Sequence, residues 1–498
     1  MERSGPASDA GPRGFRAGFP VYPERLDMKA VFVGGGSFRT LPIIRGALQT
    51  PGLLDNGELV LVDFNRDRAE AVAALIRRAP ETARAGLRVS VAAKIERALP
   101  GADLVHVGFP CGSVRACVQF EDESVKAGLI PSDQLSIAGA FRAAVGGPAL
   151  HAVARAVEKY APDAWIADFA NPVAVYSGII NNHTKAKGLG ICGGFNNHRW
   201  DLTRLLEGRD SDDDLYRIAV AGVNHLSYIL RGTWRGKDLY AALDKVIANP
   251  DWRPCSLPTY SDPRRIRDIN TQLRKLLELR RRFGYTVFST EGDGMMHLFW
   301  EEHLRANQTA LAARKPLTRA AAAKIEARLR AEREKQDAWY RERAKAPELP
   351  AKFWDGPAWK NPYFAATPND AAVAILRGIS PRGGRVWLAA SRPNRGAVRG
   401  FKDRTVLEYS MTLEKGKVTP DPDLEVPDCF YGLTASLAAF QTMLADAIAT
   451  RDPKLFAAAL SRYPMAGETK AAKKLFRRGA EIFADEIPAE FRRLGDYL

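Results

Sequence analysis

The chain of 498 residues has 46% hydrophobic and 26% charged residues, a composition that excludes a disordered or fibrous protein and allows a core large enough for two domains. Its 73 Lys and Arg against 58 Asp and Glu give a formal net charge of +15, and five cysteines without C-x-x-C spacing, Cys111, Cys117, Cys192, Cys255 and Cys429, argue against a disulfide framework or a zinc ribbon. No run approaches the ~18 apolar residues of a membrane span, and the Gly-, Pro-, Arg- and Ser-rich residues 1–27 have no apolar core like a signal peptide's, so a disordered extension and a cytoplasmic location are expected.

From Met28 the pattern alternates strand with helix. "KAVFVGG" reads as a strand, "SFRTLPIIRGALQT" as a helix with an early Pro42, "GELVLVDFN" as a second strand and "RDRAEAVAALIRRA" as a second helix. Further strands are expected in "LRVSVA", "ADLVHVGF" and "DAWIADFANP". Strands separated by helices of this length imply a Rossmann-type, doubly wound parallel α/β sheet, with ligands at the carboxyl ends of its strands.

The first strand-to-helix turn, Gly34, Gly35, Gly36, Ser37 and Phe38, departs from the G-x-G-x-x-G fingerprint because Arg39 stands at the third glycine position. Its context between a strand and a helix still suits a pyrophosphate, held by backbone N–H groups and a helix N-terminus. Asp63 ends the second strand 27 residues after Gly36, where a carboxylate accepts from a ribose 2′-OH and favours NAD over NADP. The alternative is that the glycines only turn the chain and Asp63 caps the next helix.

Beyond Asn171 the alternation continues through "GLGICGGFNN" and "YRIAVAGVNHLSY", then yields to helices. Residues 310–346, rich in Ala, Arg, Glu and Lys and broken by Pro316, read as a surface helix or helical insertion rather than a site. From Phe430 onward the pattern is of amphipathic helices. The division expected is an extension at 1–27, a Rossmann-type domain at 28–198 and a mixed α/β, mainly helical substrate and oligomerisation domain at 199–498. The basic runs "RKLLELRRRFG" and "KAAKKLFRRG" place apolar residues at helical spacing among their charges, which suits solvated helix faces better than a nucleic-acid surface.

Cys192 and His225 each follow an apolar strand-like run, 33 residues apart. A thiolate and an imidazole at neighbouring strand ends suit one transition metal with open positions for a ligand. A buried free thiol and a core histidine fit the same pattern.

"VFVGGGSFRTLP", "DAWIADFANPVAVYSGIINN", "GLGICGGFNN" and "GVNHLSYI", in this order, resemble the family 4 glycoside hydrolases, with their G-G-G-S-x-x-T-P, N-P-A, G-L-C and G-L-N-H segments. "RRFGYTVFSTEGDG" is similar to the F-G-Y-x-x-T-E-S segment of the branch that includes α-galactosidases and α-glucuronidases. The resemblance implies NAD and a divalent metal, typically Mn²⁺, in place of the usual pair of catalytic carboxylates. It implies hydride removal from C3 of the sugar, loss of the C2 proton, elimination at C1, addition of water and return of the hydride. Cys192 and His225 would be the metal ligands, Asn171 would contact a sugar hydroxyl or the cofactor, and Asn224 would support the metal site. The expected partners are a small-molecule glycoside and further copies of the chain, with no nucleic acid and no membrane.

The sequence also departs from the family pattern. Gly193 follows the metal cysteine where Asp, Asn or His is common, and "GAFRAAVGG" matches the G-Q-E-T-x-G-P-G-G stretch with Phe141 in place of the Glu. The catalytic tyrosine falls near His297 or Phe299, with Tyr285 upstream. Tyr285, His297 and His198 are therefore the candidates for acid–base work, and His198 with Arg199 the candidates to replace the missing polar group. Two rivals to a glycosidase follow: a sugar oxidoreductase or lyase that performs the same C3 oxidation without net hydrolysis, and a binding protein that retains only the dinucleotide site.

Overall fold

The computed structural model describes residues 27–192, 195–209, 216–252, 263–288, 292–313, 318–349, 353–356, 370–467 and 469–498. Six parallel strands come first: β1 (Lys29–Val33), β2 (Glu58–Val62), β3 (Arg88–Val91), β4 (Leu104–Val107), β5 (Trp165–Asp168) and β6 (Lys187–Gly190). Their spatial order is β3-β2-β1-β4-β5-β6, the doubly wound arrangement, whose order reverses between β1 and β4. Every residue of β4 and β5 is buried, as strands covered by helices on both faces require.

The sheet continues past β6. The later strands are β7 (Tyr216–Val223), β8 (Leu226–Trp234), β9 (Lys237–Asp238), β10 (Thr286–Val287), β11 (Val386–Pro393), β12 (Val406–Glu414) and β13 (Lys417–Pro420). They pair antiparallel in the order β6-β11-β12-β7-β8-β10, with β13 on β12 and β9 on β8. The run "YRIAVAGVNHLSY" is thus two strands of a hairpin, β7 and β8, turning at Asn224 and His225. One row of paired residues, Gly190, Ser391, Glu408 and Gly222, crosses from β6 to β7. Cys192 and His225 lie just beyond its two ends.

Two helices, Ile137–Tyr160 and Asp428–Thr450, are each long and apolar enough, by length and composition alone, to cross a bilayer. The polar residues scattered through them conceal this from a search for unbroken apolar runs. In the fold they pack on each other and on the helix Val173–His183. Gly147 permits that contact, because a Cβ there would stand 2.5 Å from Ile448 Cγ2.

The Ala- and Arg-rich stretch forms two helices, Trp300–Ala312 and Arg319–Lys345. The second lies along the helix Arg66–Arg78, which follows β2. Arg78 closes its end, donating from Nη1 to the carbonyls of Arg343 (3.2 Å) and Ala344 (2.8 Å) and from Nη2 to those of Ala346 (2.5 Å) and Pro347 (3.1 Å). The two basic runs lie in the helices Pro263–Phe283 and Lys470–Ile482, whose Leu273, Leu276, Leu279, Leu475 and Phe476 are buried.

Candidate active site

The carboxyl ends of β1, β2, β4, β5 and β6 carry Gly34, Asp63, Gly108, Asn171 and Cys192 in turn. At the β1 end, Gly34 and Gly35 donate their N–H groups to Val62 O (2.9 and 3.1 Å), and Ser37 donates to Gly34 O (2.9 Å), which closes the turn. Gly34 has φ +85°, and a Cβ there would stand 2.2 Å from Gly108 O across the switch point. Only glycine fits.

Asp63 is not the helix cap. Asn65 caps Arg66–Arg78, its side-chain oxygen accepting from Arg68 N (3.0 Å). The Asp63 carboxylate instead accepts from Gly36 N (2.8 Å) and Asn65 N (2.8 Å), which fastens β2 to the glycine turn. Two aromatic side chains close to these residues in the chain are exposed, Phe38 at 39% and Phe64 fully. Bare backbone at a switch point beside a fixed carboxylate has the form of a dinucleotide cradle.

Cys192 Sγ and His225 Nε2 are 2.9 Å apart and both residues are buried. His225 holds a left-handed backbone, φ +65°, at the hairpin tip, and Gly294 lies so close that a Cβ there would overlap His225 O. Glu408 of β12 braces the hairpin from behind. Its carboxylate accepts from Asn224 Nδ2 (2.7 Å) and from Ser227 Oγ (2.5 Å). Burial pushes the Glu408 carboxyl above the usual carboxylate range, against the opposing pull of those two hydrogen bonds and of the His225 charge.

Arg39, at the place of the fingerprint's third glycine, extends over the Phe169 ring (5.3 Å) and pairs with Asp370 at 3.8 Å. Burial lowers its pKa, and the charges of Asp370 and Cys192 oppose that.

These residues fit a metal. A thiol and an imidazole converge, and the buried Asn224 Oδ1 beside them has no hydrogen-bond partner. Among the described residues no group of three His, Cys, Asp or Glu converges, so the donor set is two side chains with open positions left for a substrate.

His198 joins this cluster, its ring meeting His225 edge-on at 6.0 Å and Phe288 at 5.6 Å. Asn171 does not face it directly. Asn171 donates from Nδ2 to Asp133 Oδ2 (2.6 Å), accepts from Gln134 Nε2 (2.5 Å), and precedes a cis peptide bond to Pro172. Tyr285 meets Tyr240 edge-on at 6.3 Å beside the edge strand β10. His297 is buried, with Nε2 3.1 Å from Tyr463 Oη and Nδ1 3.3 Å from Gly294 O, and Gly294 in turn lies against His225. Gly193 and the side chain of Arg199 lie outside the described residues. Phe141 is fully buried against Phe120, Phe456 and Phe483.

Sequence reasoning missed Glu408 and Asp370. The signal for Glu408 was one carboxylate inside the otherwise apolar run "VLEYSM". Asp370 gave none, since it caps the helix Ala371–Ile379 as many aspartates do.

Two family models match: "Family 4 glycosyl hydrolase" over residues 29–207 and "Family 4 glycosyl hydrolase C-terminal domain" over residues 220–466. A probable 6-phospho-beta-glucosidase of Bacillus subtilis is 22% identical over 470 residues, covering 94% of this chain and 99% of its own. The 6-phospho-beta-glucosidase BglT of Thermotoga maritima is 22% identical over 474 residues, covering 94% of this chain and all of its own. The crystal structure of a 6-phospho-alpha-glucosidase from gut microorganisms, in complex with NAD and Mn²⁺, has the same fold, with a TM-score of 0.73, 17% identity and coverage of 93% of this chain and 99% of that one.

Proposed function

The chain belongs to the family 4 glycosyl hydrolases, and on that premise we propose that it cleaves a sugar glycoside through oxidation at C3, deprotonation at C2 and elimination at C1. The single observation that carries this reading is the 2.9 Å approach of Cys192 to His225 at the carboxyl edge of a dinucleotide-binding sheet. When bound, NAD⁺ supplies a hydride acceptor for C3, and a divalent metal such as Mn²⁺ supplies a Lewis acid for the C3 oxygen.

The chain's own residues do the rest. The turn at Gly34, Gly35, Gly36 and Ser37, whose own N–H groups close on Val62 O, Asp63 and Gly34 O, lets a pyrophosphate approach bare backbone at the start of the helix Thr40–Leu48, Asp63 accepts from a ribose hydroxyl, and Phe38 and Phe64 offer aromatic faces to the adenosine end. Cys192 Sγ and His225 Nε2 are the protein donors for the metal. Asn224 fixes the His225 turn through Glu408, with its Oδ1 left to orient a substrate hydroxyl.

His198 takes the C2 proton in this reading. Its edge contact with His225 supports that role above Tyr285 and His297, whose side chains engage Tyr240 and Tyr463.

One observation favours a second reading, a sugar oxidoreductase or lyase without net hydrolysis. Where the family pattern has a Glu, Phe141 is sealed in an aromatic cluster, so no carboxylate stands there to serve the leaving group. Incubation of a glycoside panel with the enzyme, NAD⁺ and Mn²⁺ under reducing conditions separates the two. Aglycone with free sugar supports the glycosidase. Keto-sugar with NADH, or an unsaturated sugar, supports the second reading, and no turnover on any glycoside sinks both.

A further inference from the structure

We infer that Asp337, on the helix Arg319–Lys345, sets the choice of coenzyme by holding Arg68 away from the ribose 2′ position. The inference rests on the dinucleotide-site reading above and concerns a helix that lies outside the sheet.

Arg68 is well placed to serve a phosphate. Its stem crosses the glycine turn, with Cδ 3.2 Å from where a Cβ on Gly36 would stand, and that same position is 3.0 Å from Asp63 Oδ2. A guanidinium beside the β2 carboxylate is the means by which such sites accept the 2′-phosphate of NADP. Here the guanidinium is already engaged. Arg68 Nε is paired with Asp337 Oδ1, and the other Asp337 oxygen accepts from Asn65 Nδ2 at 3.2 Å.

The Arg68 and Asp337 side chains are 17% and 14% exposed, so solvent and salt screen the pair far less than an exposed one. Asp337 cannot easily follow Arg68 back toward the cofactor. Its helix is closed by the Arg78 hydrogen bonds, and Tyr340, one turn on, is buried. Gly356, whose added Cβ would stand 3.7 Å from Tyr340 Oη and 4.0 Å from Phe38 O, links the helix to the glycine turn.

The charges at the ribose end then favour a neutral hydroxyl. The Arg68 guanidinium beside Asp63 is already paired with Asp337. A 2′-phosphate would meet carboxylate without a partner guanidinium, whereas a 2′-OH needs only the Asp63 acceptor.

The test is direct titration of NAD⁺ and NADP⁺ binding to the full-length protein by calorimetry, for wild type, Asp337→Asn, Asp337→Ala and Asp337→Asn/Arg68→Met. Wild type should bind NAD⁺ well above NADP⁺. Asp337→Asn and Asp337→Ala should raise relative affinity for NADP⁺ by about 10- to 100-fold, the worth of one charge-assisted hydrogen bond, and the double variant should lose that gain. Retained NAD⁺ affinity in Asp337→Asn shows that the site is still folded. An unchanged ratio in both single variants, with NAD⁺ bound normally, overturns the role of Asp337 and leaves the dinucleotide site standing. A gain that survives Arg68→Met also overturns it, because Arg68 would not be the group released. Failure of wild type to bind either coenzyme removes the dinucleotide reading and this inference with it.

Discussion

The two sides of the candidate site are built by different means. The β1–β2 side is made of backbone: Gly34 at φ +85° against Gly108, and Gly36 N–H held by Asp63. The β6–β7 side is made of side chains held in place, Cys192 against His225, with Asn224 and Ser227 fastened to Glu408. A backbone cradle tolerates change in the side chains around it, as Arg39 in the third glycine place illustrates. A side-chain site has no such freedom.

That contrast is broken most severely at the metal pair. Cys192→Ser or His225→Ala should lower turnover by about 10³-fold or more, the worth of several kcal/mol of charge stabilisation, while NAD⁺ titration stays unchanged because the cradle uses other strands. Loss of coenzyme binding in the same variants would show that the two sides are one cooperative unit. Gly36→Ala should do the reverse. Its Cβ would stand 3.0 Å from Asp63 Oδ2, and NAD⁺ affinity should fall by about 10- to 100-fold as that charge-assisted bond is lost, with Mn²⁺ binding retained in a metal titration.

Glu408→Gln tests whether the hairpin is positioned from behind. Mn²⁺ affinity should fall by about 10- to 100-fold, the usual effect of removing a partner behind a metal ligand, and unchanged affinity would make Glu408 a matter of folding alone.

The smallest effect concerns a histidine beneath the cradle. His106 is stacked between Phe32 and Phe169, and burial, aided by the Arg39 charge, lowers its pKa from 6.5 to about 3. Between those values the unfolded chain binds the proton more readily, so stability contributed by neutral His106 is complete above pH 6.5 and is lost as pH falls toward 3. His106→Phe should remove that slope, a difference of about 2 kcal/mol at pH 5, read from melting curves of both proteins at pH 5 and pH 7.5. Parallel slopes would contradict the buried neutral state.

The cradle was legible in the sequence because its parts are local. A strand, three glycines and a carboxylate at the next strand end are all separated by short helices. What each glycine faces was not legible: the missing Cβ of Gly35 points at Leu61 and the carbonyl of Phe32, and that of Gly36 at Asp63 and Arg68. Cys192 and His225 were readable as a pair because each closes an apolar run. Their support was not, since Glu408 arrives from β12, 184 residues beyond Asn224, and Asp337 reaches Arg68 from 269 residues away. Composition marked 310–346 as a solvated helix and nothing local signalled its contact with the cofactor side. The surroundings of the candidate bases were not legible either, because Tyr240 beside Tyr285 and Tyr463 beside His297 come from other elements.

The proton at C2 of the sugar tests the central claim most directly. Turnover of a glycoside with NAD⁺ and Mn²⁺ in D₂O should give product carrying deuterium at C2, read by NMR or mass spectrometry, because that proton leaves before elimination and returns from solvent. A glycosidase working with two carboxylates never touches C2. Product fully protiated at C2, formed at the same rate without NAD⁺, would contradict oxidation and elimination as the route of cleavage.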